Sequence, residues 1–172
     1  MLIRRAVRAD EAPIRAVHTA AFAQPGLTKV PEAVLVDELR ADGDLIPELS
    51  LVAERGGQVI GHVCSSPGKL SEDPSRAVGL GPLGVLPEFQ RSGAGSALVH
   101  TTLGAADALG FALVVLLGDP GYYHRFGFVL AERLGITPPV AEWKRHFQAR
   151  ALTAHKPENR GAFRYAPAFD RL

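Results

Sequence analysis

Cysteine is nearly absent: the 172 residues hold one, Cys64. A single thiol excludes an intrachain disulfide and any zinc cluster built from thiolates. It lies in an apolar, strand-like run and reads as a buried structural thiol, not a nucleophile. The six histidines are scattered without ligand spacing, so no metal is expected. Excess charge is missing too, the formal balance being +1. A nucleic-acid binder would carry a concentrated basic surplus, and Arg4, Arg5 and Arg8 read as a solvated terminal cluster. Long apolar runs are also lacking. None approaches the roughly 18 residues of a membrane span, and Arg4, Arg5, Arg8 and Asp10 interrupt the stretch where a signal core would sit. The expectation is a cytoplasmic chain with no membrane or nucleic-acid partner.

What is present is the composition of an ordinary globular chain, 47% apolar and 22% charged. Its length suits one domain over residues 1–172 with a substantial core. Leu2–Val7 is short and β-like. Asp10 is placed to cap a helix in which Pro13 sits in the first turn and Ile14, Val17 and Ala21 recur at helical spacing. Gln24-Pro25-Gly26 ends it. A second helix starts near Pro31, carries Val34, Leu35, Glu38 and Leu39, and stops at Asp42-Gly43. Leu49–Glu54 and Gln58–Ser65 are predicted strands joined by the hairpin Arg55-Gly56-Gly57, and His62 in the second reads as a satisfied sheet histidine. Pro67–Arg76, with Glu72 and Asp73, reads as a polar loop.

Ala77–Val85 is then a strand, and Ala112–Leu117 an unbroken apolar run of the kind buried on both faces. The helix between them puts Ala94, Leu98, Thr101, Ala105 and Leu109 on one stripe and closes at Gly110. Together they make a βαβ unit with a right-handed crossover. Farther on, Trp143, Phe147 and Ala149 alternate with Lys144, His146 and Gln148. That predicts a strand over Glu142–Ala151, with Gly161–Tyr165 pairing with it.

The junction between strand and helix is the chemically informative stretch. Gln90-x-x-Gly93-x-Gly95 opens a helix whose unpaired N–H groups and positive dipole end face back into the turn, which makes an anion site. A P-loop needs a lysine for the terminal phosphates, and no lysine lies between Lys69 and Lys144. The dinucleotide pattern fits by letter only at Gly79-x-Gly81-x-x-Gly84, inside the strand instead of at a helix start.

Gln-x-x-Gly-x-Gly at this place resembles the pyrophosphate motif of the GCN5-related N-acetyltransferases. Farther along, Leu-Gly-Asp-Pro-Gly-Tyr-Tyr-x-Arg-Phe-Gly-Phe, ending at Phe128, is similar to the YhbS-like branch, as is the closing Tyr165-Ala-Pro-Ala-Phe169-Asp. The resemblance implies a GNAT fold of the α/β (α+β) class. Its sheet would be mixed, mostly antiparallel and six- to seven-stranded, splayed between the fourth and fifth strands and flanked by about four helices.

The resemblance also implies a function, acetyl transfer from acetyl-CoA as co-substrate to an amine. Main-chain donors of Arg91, Ser92, Gly93, Ala94, Gly95 and Ser96 would hold the pyrophosphate, with Gln90 opening this coenzyme-binding turn. Leu83, Gly84 and Val85 would pair with the pantetheine arm, with Pro82 marking an edge or bulge there. The Val85 amide would polarise the thioester. Gly118 and Tyr123 would adjoin the coenzyme, with Tyr123 as general acid. The strand Ala77–Val85 lacks the glutamate that many relatives use, so the base is open among Glu38, His62, Asp119, His124 and a water chain. The rival reading is an acyl-CoA-sensing module that never transfers the group. The acceptor is not legible, and a homodimer through the C-terminal strands is compatible with the sequence.

Overall fold

A computed structural model of the chain describes residues 1–71 and 73–171. In chain order the elements are β1 (Leu2–Arg5), α1 (Glu11–Ala21), α2 (Pro31–Ala41), β2 (Leu51–Arg55), β3 (Gln58–Leu70), β4 (Asp73–Val85) and α3 (Ala94–Ala108). There follow β5 (Leu113–Leu117), α4 (Pro120–Tyr123), β6 (Val129–Leu130), β7 (Ile136–Thr137), β8 (Phe147–Ala151) and β9 (Gly161–Arg164). The strands form a mixed, open sheet in the order β1-β2-β3-β4-β5-β8-β6, with β9 joined to β3 and to β7. The β4–β5 pair is parallel, as the crossover through α3 requires. Among the described residues no helix is long and apolar enough to cross a membrane.

By its internal packing the chain divides into two compact units. The first comprises Met1–Ser65, Gly81–Thr102 and the end of the chain from Pro167. Here β1 pairs antiparallel with β2, and β2 with β3, in a register that sets Val52 opposite His62. Ile14 and Val17 of α1, Leu35, Val36 and Leu39 of α2, and Leu98 and Val99 of α3 are all buried. Arg4 ties the start of the chain down through Asp10 (2.7 and 2.9 Å) and Glu54 (2.8 Å). That pairing corrects the expected cap. Asp10 does precede α1, but its carboxylate accepts from the Arg4 guanidinium and from Val7 N–H (2.8 Å), a charge-assisted grip that outcompetes the helix amides.

The second unit comprises Ser66–Leu80 and Leu103–Ala166. The β4–β5 ladder runs over Ala77–Gly79 opposite Leu113–Val115, and β5 pairs along its length with β8. The core is Leu113, Val115, Ile136, Phe147 and Phe163, so β5 is buried on both faces as its unbroken apolar run predicts.

Four local expectations are overturned. Residues 67–76 are largely strand: β3 reaches Leu70 and β4 starts at Asp73, with Glu72 outside the described residues. A polar composition suits a strand whose partners supply the hydrogen bonds, and Lys69 and Leu70 pair with Arg164 and Phe163. The predicted strand over 142–151 begins only at Phe147, because Ala141–Arg145 is a 3-10 turn closed by Trp143 N–H on Val140 O (3.1 Å). β9 does not pair with β8, both of whose edges are taken by β5 and β6. On α3 the buried row is Ala94, Leu98, Thr102 and Ala106, a spacing of four, while Thr101 is exposed and its hydroxyl donates to Ala97 O (2.8 Å).

Candidate active site

In the first unit, the passage from β4 into α3 is shaped by main chain. Along the end of β4 the pattern alternates, Pro82 and Gly84 buried, Leu83 and Val85 half-buried. The Gln90 amide reaches back to donate to Val85 O (3.2 Å), and the Ser92 hydroxyl donates to Phe89 O (2.6 Å), so two side chains brace the turn against the strand end. Arg91 and Gly93 take positive φ, +58° and +89°. At Gly93 a side chain would meet no neighbour, but the left-handed backbone itself disfavours one.

These two residues turn the amides outward. Gln90 N–H bonds Pro87 O (3.2 Å), and the next such bond is Ala97 N–H to Gly93 O (2.9 Å). Between them, the N–H groups of Arg91 to Ser96 have no turn or cap acceptor among the described residues. Four of the unpaired donors at any helix start lie here, with the dipole behind them. Arg91 is exposed and has no acidic partner among the described residues, leaving its guanidinium to meet an anion.

In the second unit, β5 runs out through Gly118 into the short α4. Asp119 Oδ1 accepts Gly121 N–H (2.9 Å) and starts the turn. Tyr123 packs edge-on against Tyr122 (ring centroids 4.9 Å apart) and Phe128 (5.7 Å). Gly118 makes room for it: a Cβ there would lie 2.5 Å from the Tyr123 ring. The Gly118 carbonyl accepts from Gln148 Nε2 (2.9 Å), which holds the glycine in place from β8. Burial, with Tyr122 adding to it, pushes the Tyr123 phenol above its ordinary value, so it stays protonated across the neutral range. Its hydroxyl has no hydrogen-bond partner among the described residues. Tyr122 instead lies under the Arg125 guanidinium, 4.8 Å from its ring.

The candidate bases divide by what already holds them. Glu38 pairs with Arg171 (2.8 Å), Asp119 starts α4, and His124 Nδ1 lies 3.2 and 3.1 Å from the carbonyls of Pro120 and Gly121. A side chain on β4 at Gly79 would meet the Tyr165 ring at 2.7 Å, so no acid could stand there without displacing it. His62 is fully buried and bonded at both ring nitrogens, in keeping with a satisfied sheet histidine. Its partner at one of them is His18 of α1, which the sequence reading passed over. The available signal was a histidine within the Ile14–Val17–Ala21 stripe, where an apolar residue would ordinarily sit. Burial pushes the Cys64 thiol up to about 12, which makes it inert as a nucleophile.

The pattern that describes the acetyltransferase (GNAT) family matches residues 16–128. The chain is 40% identical over 132 residues to the uncharacterized N-acetyltransferase YhbS of Escherichia coli K12, covering 76% of this chain and 75% of YhbS. The crystal structure of YhbS in complex with CoA matches with a TM-score of 0.89 at 34% identity, covering 99% of this chain and 92% of that one. A GNAT family acetyltransferase from Brucella melitensis, in complex with acetyl-CoA, matches with a TM-score of 0.81 at 37% identity over 98% and 97%. The outward amides before α3, the tyrosine seated over Gly118 and these likenesses agree, and the chain belongs to the acetyltransferase (GNAT) family.

Proposed function

We propose that the chain moves an acetyl group from acetyl-CoA directly to a primary amine of a small molecule or peptide, within a ternary complex. The observation that carries this reading is the run of unpaired N–H groups from Arg91 to Ser96 at the start of α3. A diphosphate is the anion that such a run fits, and relatives of the same fold hold CoA and acetyl-CoA. Main-chain donors need no particular side chains, which accounts for small residues at Ser92, Gly93, Ala94, Gly95 and Ser96.

The pantetheine arm would pair with Leu83–Val85 as an added strand. In the reaction, the neutral amine attacks the thioester carbon and the Val85 N–H stabilises the oxyanion. The C–S bond then breaks, the attacking nitrogen gives up its surplus proton to water, and the thiolate takes the Tyr123 phenol proton, which solvent replaces. The phenol is protonated when the thiolate leaves, as an ordinary phenol is at neutral pH; its burial keeps it so and makes it a weaker acid.

The test is a thiol-release screen over an amine panel with acetyl-CoA, propionyl-CoA and succinyl-CoA, beside calorimetry of each acyl-CoA alone. Amine-dependent thiol release is the expected result. Binding heat without thiol release from any amine would instead favour a sensing module, and no heat with any acyl-CoA would defeat both readings.

A further inference from the structure

The first unit contains a line of three buried polar side chains that the chemistry above leaves unused. His18 Nε2 on α1 lies 2.8 Å from His62 Nδ1 on β3, and His62 Nε2 lies 3.1 Å from Ser50 Oγ. Both histidines are 0% exposed and Ser50 is 4% exposed. Such a line has two ends. At one, His18 Nδ1 is buried without a hydrogen-bond partner among the described residues. A buried polar atom left unpaired is destabilising, so the arrangement is not what packing alone would choose. That nitrogen faces β4: a Cβ added to Gly84 would lie 3.0 Å from it. At the other end, Ser50 lines a surface pocket with Arg8, Glu11, Arg40 and Leu45.

We propose that His18, His62 and Ser50 form a proton relay from β4 at Gly84 to that pocket, and that it removes the proton an acceptor ammonium must lose before it attacks. The relay rests on the acetyl-transfer reading and supplies its missing base. Gly84 stands between Leu83 and Val85, the residues assigned there to the pantetheine arm and the oxyanion. The proton balance is simple. An ammonium N–H bond breaks and His18 Nδ1–H forms; the His18 Nε2 proton passes to His62 Nδ1, the His62 Nε2 proton to Ser50, and the Ser50 proton to water in the pocket. With product gone, water in the pocket returns a proton to Ser50, the reverse movement restores the starting tautomers, and the His18 Nδ1 proton leaves to water on the β4 side.

Two neutral imidazoles are the proper parts for such a line, since a neutral ring holds one donor and one acceptor. Burial lowers His18 to about 4, and burial together with His18 and Arg40 lowers His62, so both are neutral at pH 7. The charged groups acting on His62 are Arg40 of α2 and Asp10, the second already held by Arg4. The Phe22 ring stacks on His18 at 6.0 Å, so its other face is apolar.

His62 and Ser50 act through His18, so they are positioning residues and their test is a pH profile. Thiol release is measured with acetyl-CoA and spermidine, tyramine or a glycyl peptide, for wild type, His62→Gln and Ser50→Ala, from pH 6.5 to 10. Expected for His62→Gln is a kcat/KM about tenfold lower at pH 7 that, with the glycyl peptide, approaches wild type at pH 10, where that α-amine is already neutral. Its acetyl-CoA binding heat should be unchanged. Ser50→Ala, which removes one oxygen, should show the same shape with a loss of about threefold. Equal activity at pH 7, or a loss that is uniform over the pH range, overturns the relay while leaving acetyl transfer intact. A wild type that releases no thiol with any of the amines overturns both.

Discussion

In the turn after β4, the groups left without acceptors belong to the main chain; in the segment after β5, the candidate group belongs to one side chain. The first is fixed by two positive-φ residues and two side chains that reach back to carbonyls. The second is fixed by a ring resting on a glycine. A main-chain site tolerates substitution of its side chains as long as the backbone path survives. A side-chain site fails when one atom is removed or its support moves.

Tyr123→Phe breaks the comparison hardest. It should lower turnover about 100-fold or more and leave acetyl-CoA affinity by calorimetry nearly unchanged; equal turnover would remove Tyr123 from the chemistry. Acid sets the two regions apart next. His18 has a folded pKa of about 4 against an ordinary 6.5, so the unfolded chain takes up the proton first. The stability due to its burial is complete above pH 6.5 and falls as pH drops toward 4, by about 3 kcal/mol. Urea melts at pH 7, 5.5 and 4.5 should show that fall, and His18→Leu should lessen it, leaving the part due to buried His62. The raised Tyr123 pKa contributes no slope in this window, because its phenol is protonated in both states.

Gly118→Ala should shift the tyrosine ring without unfolding the chain, since the added methyl would lie 2.5 Å from it. About tenfold lower turnover is expected, with coenzyme affinity retained. Smallest is Arg91→Gln, which removes one exposed cation and keeps the turn. Acetyl-CoA affinity should weaken about threefold at low salt, and the difference should close as ionic strength rises. A loss from Arg91→Gln as large as that from Tyr123→Phe would mean that the turn also works through its side chains.

The βαβ unit, the doubly buried β5 and the glycine turn were legible because each is written in local periodicity or in residues with special backbone freedom. The short helix that carries Tyr123 and its stop at Gly127 were legible from the spacing of Tyr123 to Gly127 and Phe128. The C-terminal strand pairing was not. Alternation predicts that a segment is extended but not which edge is vacant, and β9 goes to β3 and β7 because β8 has no free edge. The Asp10 cap failed for a similar reason, since Arg4 approaches it from a neighbouring strand.

By itself, then, the sequence determined the order of elements from β1 to β5 and the turns at Gln90–Ser96 and Tyr123–Phe128, because these are held by contacts only a few residues apart. Only the tertiary structure decided that His18, His62 and Ser50 fall into line. They come from a helix, a strand and the segment before another strand, His18 lying 44 residues from His62. Nothing in local pattern reports a hydrogen bond between side chains that far apart in sequence. It arises when α1 packs on β3 and burial leaves His18 Nε2 and His62 Nδ1 no partner but each other, with Ser50 taking the far nitrogen of His62.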